Sequence, residues 1–386
     1  MVRTKPIGYA SWGAITWDAL ANQLRPSDLL LGCVRNKVGC PIKWLLKDCP
    51  YRSKYWGSFL LLQEKPSAYP PEICYNISNN TVMRLAMEQD ILTYVGKSLY
   101  QTHILKEMKR YVVFRTRCKM HSSAINDLLS FFKANEHRQA WLKGNPSFVE
   151  QTTRSFFYKG STWDERMTLV KNHVEIMEAL FTDKMLDEIY GEHKAVQLWQ
   201  DEYQEKPLTL NLVFHAGQRK EGCLSLMMNY EEQALYQIMF WFGKDKDGKN
   251  VIYIGALQGP QNGNELIKGL TKAFFGYRTK NLVFYGLRSL AKALGIEKIY
   301  AVGNDGYYAM NHIRMDRKLK TDFGAFWLEC EGEQCEDKRF FVMPVAEHRK
   351  SMEELKPSKR AQHRRRFAKM DEMESAVAES LKTYMR

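Results

Sequence analysis

The sequence predicts an α+β protein: a helical N-terminal half, a mixed β-sheet domain, and a basic C-terminal helix. Three observations predict it. From about residue 80 to Trp199, apolar residues recur at three- and four-residue steps, the period of a helix face. Past Pro207 the period falls to two, and apolar runs at 222–229, 235–242 and 251–257 read as strands with short turns between them. From Ser351 onward the chain turns helical again, and it is heavily basic at first. The segments that follow are an irregular Trp/Pro-rich stretch 1–80, a helical region 81–205, a mixed-sheet domain 206–350 and a basic helix 351–386.

Residues 1–80 are punctuated by Pro41, Pro50, Pro66, Pro70 and Pro71, while Trp12, Trp17, Trp44 and Trp56 suggest a folded aromatic cluster. In the helical region, Ser161, Thr162, Trp163 and Asp164 read as an N-cap with acids in the first turn. The helix they start carries Met167, Val170, Val174, Met177 and Leu180 on one face, with His173 beside it as a packing residue. The three strands make an antiparallel meander, the first two joined by a turn over 230–234. Two helical patterns separated by Gly276 then lead to a β-branched run at 299–302, which closes at Gly303-Asn304-Asp305-Gly306. A hairpin is expected next, with strands 325–330 and 339–344 around the charged turn EGEQCED. No internal repeat is visible.

Composition bounds the function. Forty-five per cent hydrophobic residues with 12% aromatics supply a core and exclude global disorder. No apolar run approaches the roughly 20 residues of a membrane span. The N-terminus, interrupted by Thr16 and Asp18, does not read as a signal peptide. Eight cysteines are scattered without a C-x-x-C pair, so no metal is expected and buried thiols are the reading, although Cys330 and Cys335 face each other across the expected hairpin. Net charge is +13 and uneven: residues 1–130 hold 18 Lys/Arg against 9 Asp/Glu, and 356–369 hold seven Lys/Arg and no acid. Lys359, Arg360, Arg364, Arg365 and Arg366 wrap much of the last helix and are candidates for binding an anionic lipid or phosphosugar. Nucleic acid is disfavoured, because Phe367 is the one aromatic in the run.

The stretch VIYIGALQGPQNGNELIKG, the following Thr-Lys helix, the LGI-to-AVGN passage and the basic KRAQHRRRF together resemble the VirK/YbjX family of bacterial proteins over about residues 85–380. The bacterial cytoplasm is the expected compartment, from the lack of a membrane span or signal peptide and from the scattered cysteines, with a position peripheral to the inner membrane following from the basic run. The resemblance implies a role in virulence and envelope adaptation: surface display of a virulence protein and tolerance of antimicrobial peptides. The family carries no settled chemistry.

The order meander, helix, strand, short helix, hairpin further resembles the Gcn5-related N-acyltransferase fold, in which acyl-coenzyme A lies between two splayed parallel strands. Carried onto this chain, those strands are 251–257 and 299–302, expected to be parallel neighbours. Gln258, Gly259, Gly263 and Asn264 become candidates for cradling the cofactor's phosphates at a helix N-terminus. Asn304 and Tyr308 fall where that fold keeps residues near the thioester, with Tyr308 able to protonate a leaving thiolate. The loop departs from the pattern: Gly259 follows Gln258 directly, Pro260 removes an N–H, and two helices fill the crossover. His312, with Glu221 and Asp305, is a further candidate base–carboxylate group. Two functions stay open: an accessory protein with an anion-binding surface, and an acyl-coenzyme A or acyl-carrier-protein dependent transferase.

Overall fold

The computed structural model describes residues 91–260, 264–311 and 322–386, which belong to one compact unit running from Asn76 to Arg386. Expectations placed on residues 1–80, on Gly263 and on His312 lie outside the described residues. Helical residues 91–99 precede α1 (Leu105–Met120), α2 (Ser122–Lys133), α3 (Glu136–Gly144), α4 (Ser147–Thr153), α5 (Trp163–Leu180) and the single turn α6 (Asp183–Leu186). Then come β1 (Val196–Tyr203), β2 (Lys206–Val213), β3 (Leu224–Tyr230), β4 (Gln233–Lys244) and β5 (Asn250–Gln258). The crossover α7 (Asn264–Ala273) and α8 (Thr279–Ala293) leads to β6 (Ile299–Val302), α9 (Phe323–Glu329), β7 (Glu333–Gln334), β8 (Phe340–Met343) and α10 (Pro357–Lys382).

The strands form one eight-stranded sheet in the order β1-β2-β3-β4-β5-β6-β8-β7. Every neighbouring pair is antiparallel except β5 and β6. That exception follows from the crossover, since a strand reached through helices re-enters the sheet running the same way. Helix α5 packs on β4, α8 packs on β3 and β4, and α10 packs on α8 and β1. The core lies between sheet and helices, with Ile238, Phe240, Phe242, Ile252, Ile254, Val283 and Leu287 fully buried.

The start of α5 is a full capping box: Thr162 Oγ1 accepts from the Glu165 N–H at 3.2 Å, and the Glu165 carboxylate accepts from the Thr162 N–H at 2.7 Å. His173 is fully buried and satisfied on both ring nitrogens. Nδ1 accepts from the Phe242 N–H at 3.1 Å, and Nε2 meets Tyr190 Oη at 2.7 Å. With Nδ1 accepting, the proton sits on Nε2, and Tyr190 passes its own proton on to the Cys223 carbonyl at 3.1 Å. Burial pushes the His173 pKa down to about 3.

Three expectations need correction. Two further strands precede the meander: β1 lies in the region expected to be helical, and β2 lies at the start of the expected sheet domain, where no strand is expected. Their turn has Gln204 (φ 51°) and Glu205 (φ 61°) in left-handed conformation, a geometry usually signalled by Asn-Gly. Here neither residue carries that signal, and the edge strand β1 exposes Gln197 and Gln200. The turn expected over 230–234 is only Glu231-Glu232, because Tyr230 already pairs with Gln233. The expected strand 325–330 is helix α9, capped where Asp322 accepts from the Ala325 N–H at 3.0 Å. Its apolar residues Phe323, Phe326 and Trp327 are buried at helical spacing, and β8 pairs instead with β6 and with the two-residue β7. Cys330 and Cys335 are both free thiols.

Candidate functional site

Strand β5 pairs with β4 along its whole length, from Lys244↔Asn250 to Gln237↔Gln258. Its pairing with β6 covers only Ile252↔Ile299, Tyr253↔Tyr300 and Ile254↔Ala301. From Gly255 onward, among the described residues, β5 has no strand on that side, and β6 ends at Val302 against Phe340. The parallel pairing stops there, and the Glu221 carboxylate links Gln258 at the end of β5 to Tyr307 beyond the end of β6.

Glu221 precedes β3. Its backbone lies on Gly255: a Cβ added at Gly255 would come within 1.8 Å of the Glu221 carbonyl oxygen, so only glycine lets the two chains approach this closely. The side chain is almost fully buried. Its two oxygens accept from Gln258 Nε2 at 3.0 and 2.9 Å, and Oε1 also accepts from the Tyr307 hydroxyl at 2.7 Å. Burial raises the Glu221 pKa above the usual carboxylate value, while the Tyr307 hydrogen bond, the Lys220 charge and the Gln258 hydrogen bond pull part of the way back. Burial and then the Glu221 charge raise the Tyr307 pKa. The same two causes take Tyr308 up to about 12. Both phenols stay protonated near neutrality. Their rings meet edge to face at 5.0 Å, and Phe156 stands edge-on to Tyr308 at 6.1 Å.

Helix α4 holds the loop that carries Glu221. Gln151 Nε2 donates to the Arg219 and Gly222 carbonyls, both at 2.8 Å. Arg219 pairs with the buried carboxylate of Glu150, which also accepts from the Tyr100 hydroxyl. On the opposite lip, the Phe157 N–H donates to the Lys220 carbonyl and the Lys159 N–H to the Gly306 carbonyl, both at 2.7 Å. A bridge between Tyr158 and Tyr307 completes that lip. Below it, Trp241, Tyr253 and Tyr300 stack in series at centroid distances of 5.4 and 5.0 Å.

At the same end of β5 a cavity of about 350 Å³ opens between α7, α8 and β4, lined by Tyr236, Ile267, Lys268, Thr271, Arg278, Thr279 and Lys280. Tyr236 joins it to the strand end, because its ring lies where a Cβ on Gly259 would go, 2.6 Å away. Thr279 begins α8, and its Oγ1 is buried without a hydrogen-bond partner. Lys280 lies with its ammonium 3.6 Å from the centre of the Phe326 ring, and burial lowers its pKa to about 8. Arg278 pairs with Glu329.

The sequence-derived candidates are therefore distributed as follows. Glu221 and Gln258 are bonded to each other, and Tyr308 stands beside their partner Tyr307. Gly259 adjoins the cavity, and Asn264 begins α7. Asn304 is engaged elsewhere: its amide donates to Asp322 at 2.8 Å and its oxygen accepts from the Phe323 N–H at 2.8 Å, joining the end of β6 to the start of α9. On α10, Arg360 donates to the Leu355 carbonyl and Arg366 to the Phe275 carbonyl, whereas Lys359, Arg364 and Arg365 are exposed. Sequence reasoning missed Tyr307, Gln151 and the Arg278-Thr279-Lys280 start of α8. The Thr-Lys pair opening the second crossover helix was the available signal for the last of these.

Among the described residues, no helix is long and apolar enough to cross a membrane. No solved structure matches the chain. A family described as a protein of unknown function, DUF535, matches residues 103–379. The chain is 31% identical over 175 residues to the uncharacterized protein YbjX of Escherichia coli K12, a match covering 44% of this chain and 52% of YbjX. It is 22% identical over 276 residues to an uncharacterized protein of Haemophilus influenzae, covering 70% of this chain and 88% of that one. A second Haemophilus influenzae protein is 25% identical over 176 residues, covering 45% of this chain and 57% of its own length. The chain spans about half the length of YbjX, and the family match extends over most of the folded region described above. On these matches the chain belongs to the DUF535 family, that of the VirK/YbjX proteins.

Proposed function

We propose that this protein is an acyltransferase of the Gcn5-related type, taking an acyl group from a coenzyme A or carrier-protein thioester to an amine or hydroxyl on an envelope-related acceptor. The observation that carries the reading is the end of the parallel β5–β6 pairing after Ile254 and Ala301, with the buried Glu221 carboxylate linking Gln258 at the end of β5 to Tyr307 after β6. The strand order agrees with such a fold, including its parallel pair reached through a helical crossover. A thioester carbonyl bound where the β5–β6 pairing stops would lie alongside the hydrogen-bonded Glu221–Tyr307 pair, with Tyr308 next to it. Glu221, its pKa raised toward neutrality, takes the proton of the acceptor nucleophile as that atom bonds to the carbonyl carbon. The carbon–sulfur bond breaks, and Tyr308 protonates the departing thiolate. The proton on Glu221 then returns to the phenolate through the intervening Tyr307.

The cavity at the start of α8 suits the donor's phosphates. It combines the positive end of a 15-residue helix, the unpartnered Thr279 hydroxyl and the cationic Lys268, Arg278 and Lys280. This moves the phosphate contact from the loop around Gly263, where the sequence put it, to the second crossover helix. A second reading, an accessory protein holding anionic lipid or phosphosugar, draws on the exposed Lys359, Arg364 and Arg365.

The test is thermal denaturation with coenzyme A and a panel of acyl-coenzyme A species. Ligand at 100 times its Kd should add about 2.7 kcal/mol of stability. Thr279→Val with Lys280→Met should remove most of that gain while leaving the unliganded melting temperature nearly unchanged. No shift with any coenzyme A species or with an acyl carrier protein would leave the accessory reading.

A further inference from the structure

We infer that α1 is a membrane-contact helix that lies on the surface of an anionic bilayer. The helix buries only Phe114 and Cys118, with Tyr111 partly covered beside them, and is held to the fold through α2 and α4. The opposite face is apolar and open: Leu105 is 73% exposed, Val112 53%, Val113 44% and Met120 74%. Ile104, just before the helix, is also exposed. At 100° per residue Leu105, Val112, Val113 and Met120 fall within one arc opposite Phe114 and Cys118. An outward face of a water-facing helix ordinarily carries polar residues, so this arrangement runs against the usual pattern.

The charged residues on and beside that arc are cationic, and Thr116 is the uncharged polar residue within it. The helix holds six Lys/Arg against the single acid Glu107. Glu107 is paired with Arg110, while Lys106, Lys109 and Lys119 are exposed and take no ion-pair partner among the described residues. Lysines interleaved with Leu, Val and Met match the boundary between anionic headgroups and acyl chains: the aliphatic side chains enter the boundary and the long lysines reach back to phosphate. Nucleic acid would reward the charges but not the exposed valines, leucine and methionine, and would call for stacking rings that this arc lacks. The contact is independent of the chemistry at Glu221. If both hold, the bilayer is where this protein would find a lipid-linked acceptor.

The test is sedimentation of the full-length protein with vesicles of phosphatidylglycerol and phosphatidylethanolamine, against vesicles of phosphatidylcholine alone, at low and high salt. Binding is expected to the anionic vesicles only and to weaken with salt. Val112→Asp with Val113→Asp should lower the partition coefficient at least about tenfold, and Leu105→Asp with Met120→Asp should do the same from the two ends of the face. All four positions are exposed, so the melting temperature should stay within a few degrees of wild type; a pair that unfolds is set aside and the other decides. Lys106→Glu with Lys109→Glu should abolish the preference for anionic vesicles. Absence of binding, equal binding to phosphatidylcholine, or binding untouched by the aspartate pairs would overturn the inference. Loss through Arg364→Glu with Arg365→Glu alone would also overturn it, by moving the contact to α10.

Discussion

At the scale of single residues, the proposed chemistry rests on Glu221. Glu221→Gln is close to isosteric, and its amide oxygen can still accept from Tyr307 and Gln258. Little stability should be lost, whereas turnover should fall about 10²–10⁴-fold, the usual contribution of a general base. In wild type, kcat/KM should rise with pH through an apparent pKa above the ordinary 4.5, because burial holds the proton on Glu221 and only the ionised form accepts one. That rising limb should vanish in the variant; a limb that persists would assign it to another group. Gly255 tests the packing that places this carboxylate. Gly255→Ala sets a methyl against the Glu221 carbonyl and should cost about 1–3 kcal/mol, seen as a lower urea midpoint. His173 has a different consequence. Its folded pKa of about 3 lies below the unfolded value, so the unfolded chain binds the extra proton as pH falls. Its contribution is complete above about pH 6.5 and is lost at roughly 1.4 kcal/mol per pH unit as pH drops toward 3. Comparing urea midpoints across that window, His173→Gln should flatten the dependence by this amount. An unchanged slope would show that other groups set it.

At the scale of elements, what the sequence revealed depended on whether the signal was local. The start of α5 was readable because Thr162 and Glu165 form their cap within one turn. The parallel pairing of β5 and β6 was readable because a crossover leaves few alternatives. Strands β1 and β2 were not, since Gln204 and Glu205 adopt left-handed backbone without the residues that advertise it. Helix α9 was misread because Phe326, Trp327 and Leu328 form a short apolar run, and length alone does not separate strand from helix there. The candidate site was half visible. Glu221 and Tyr308 drew notice as chemical types, but their grouping depends on α4, 68 or more residues away from the loop it grips. Helix α4 therefore offers its own test. Gln151→Leu would leave the Arg219 and Gly222 carbonyls buried without donors, and on the order of 2 kcal/mol should be lost. Activity should fall further than stability explains, because the Glu221 loop loses its anchor.

At the scale of the whole molecule, the strands form one sheet whose single parallel pairing, β5 with β6, stops after Ile254 and Ala301. Elsewhere the antiparallel ladder satisfies its own backbone groups. Past Ile254 the β5 backbone packs against the Glu221 loop at Gly255, and the 156–159 segment bonds to Lys220 of that loop and to Gly306 after β6. On the proposed function, an acyl thioester binds where the β5–β6 pairing stops, with its phosphates at the start of α8. Amide hydrogen exchange, with and without saturating acetyl-coenzyme A and a long-chain acyl-coenzyme A, locates the ligand directly. The expected result is slower exchange at Gly255–Gly259, at Gly303–Tyr308 and over the first turn of α8, with the remaining sheet unchanged. Unaltered exchange at all three segments, or protection confined to another surface such as α10, would contradict it.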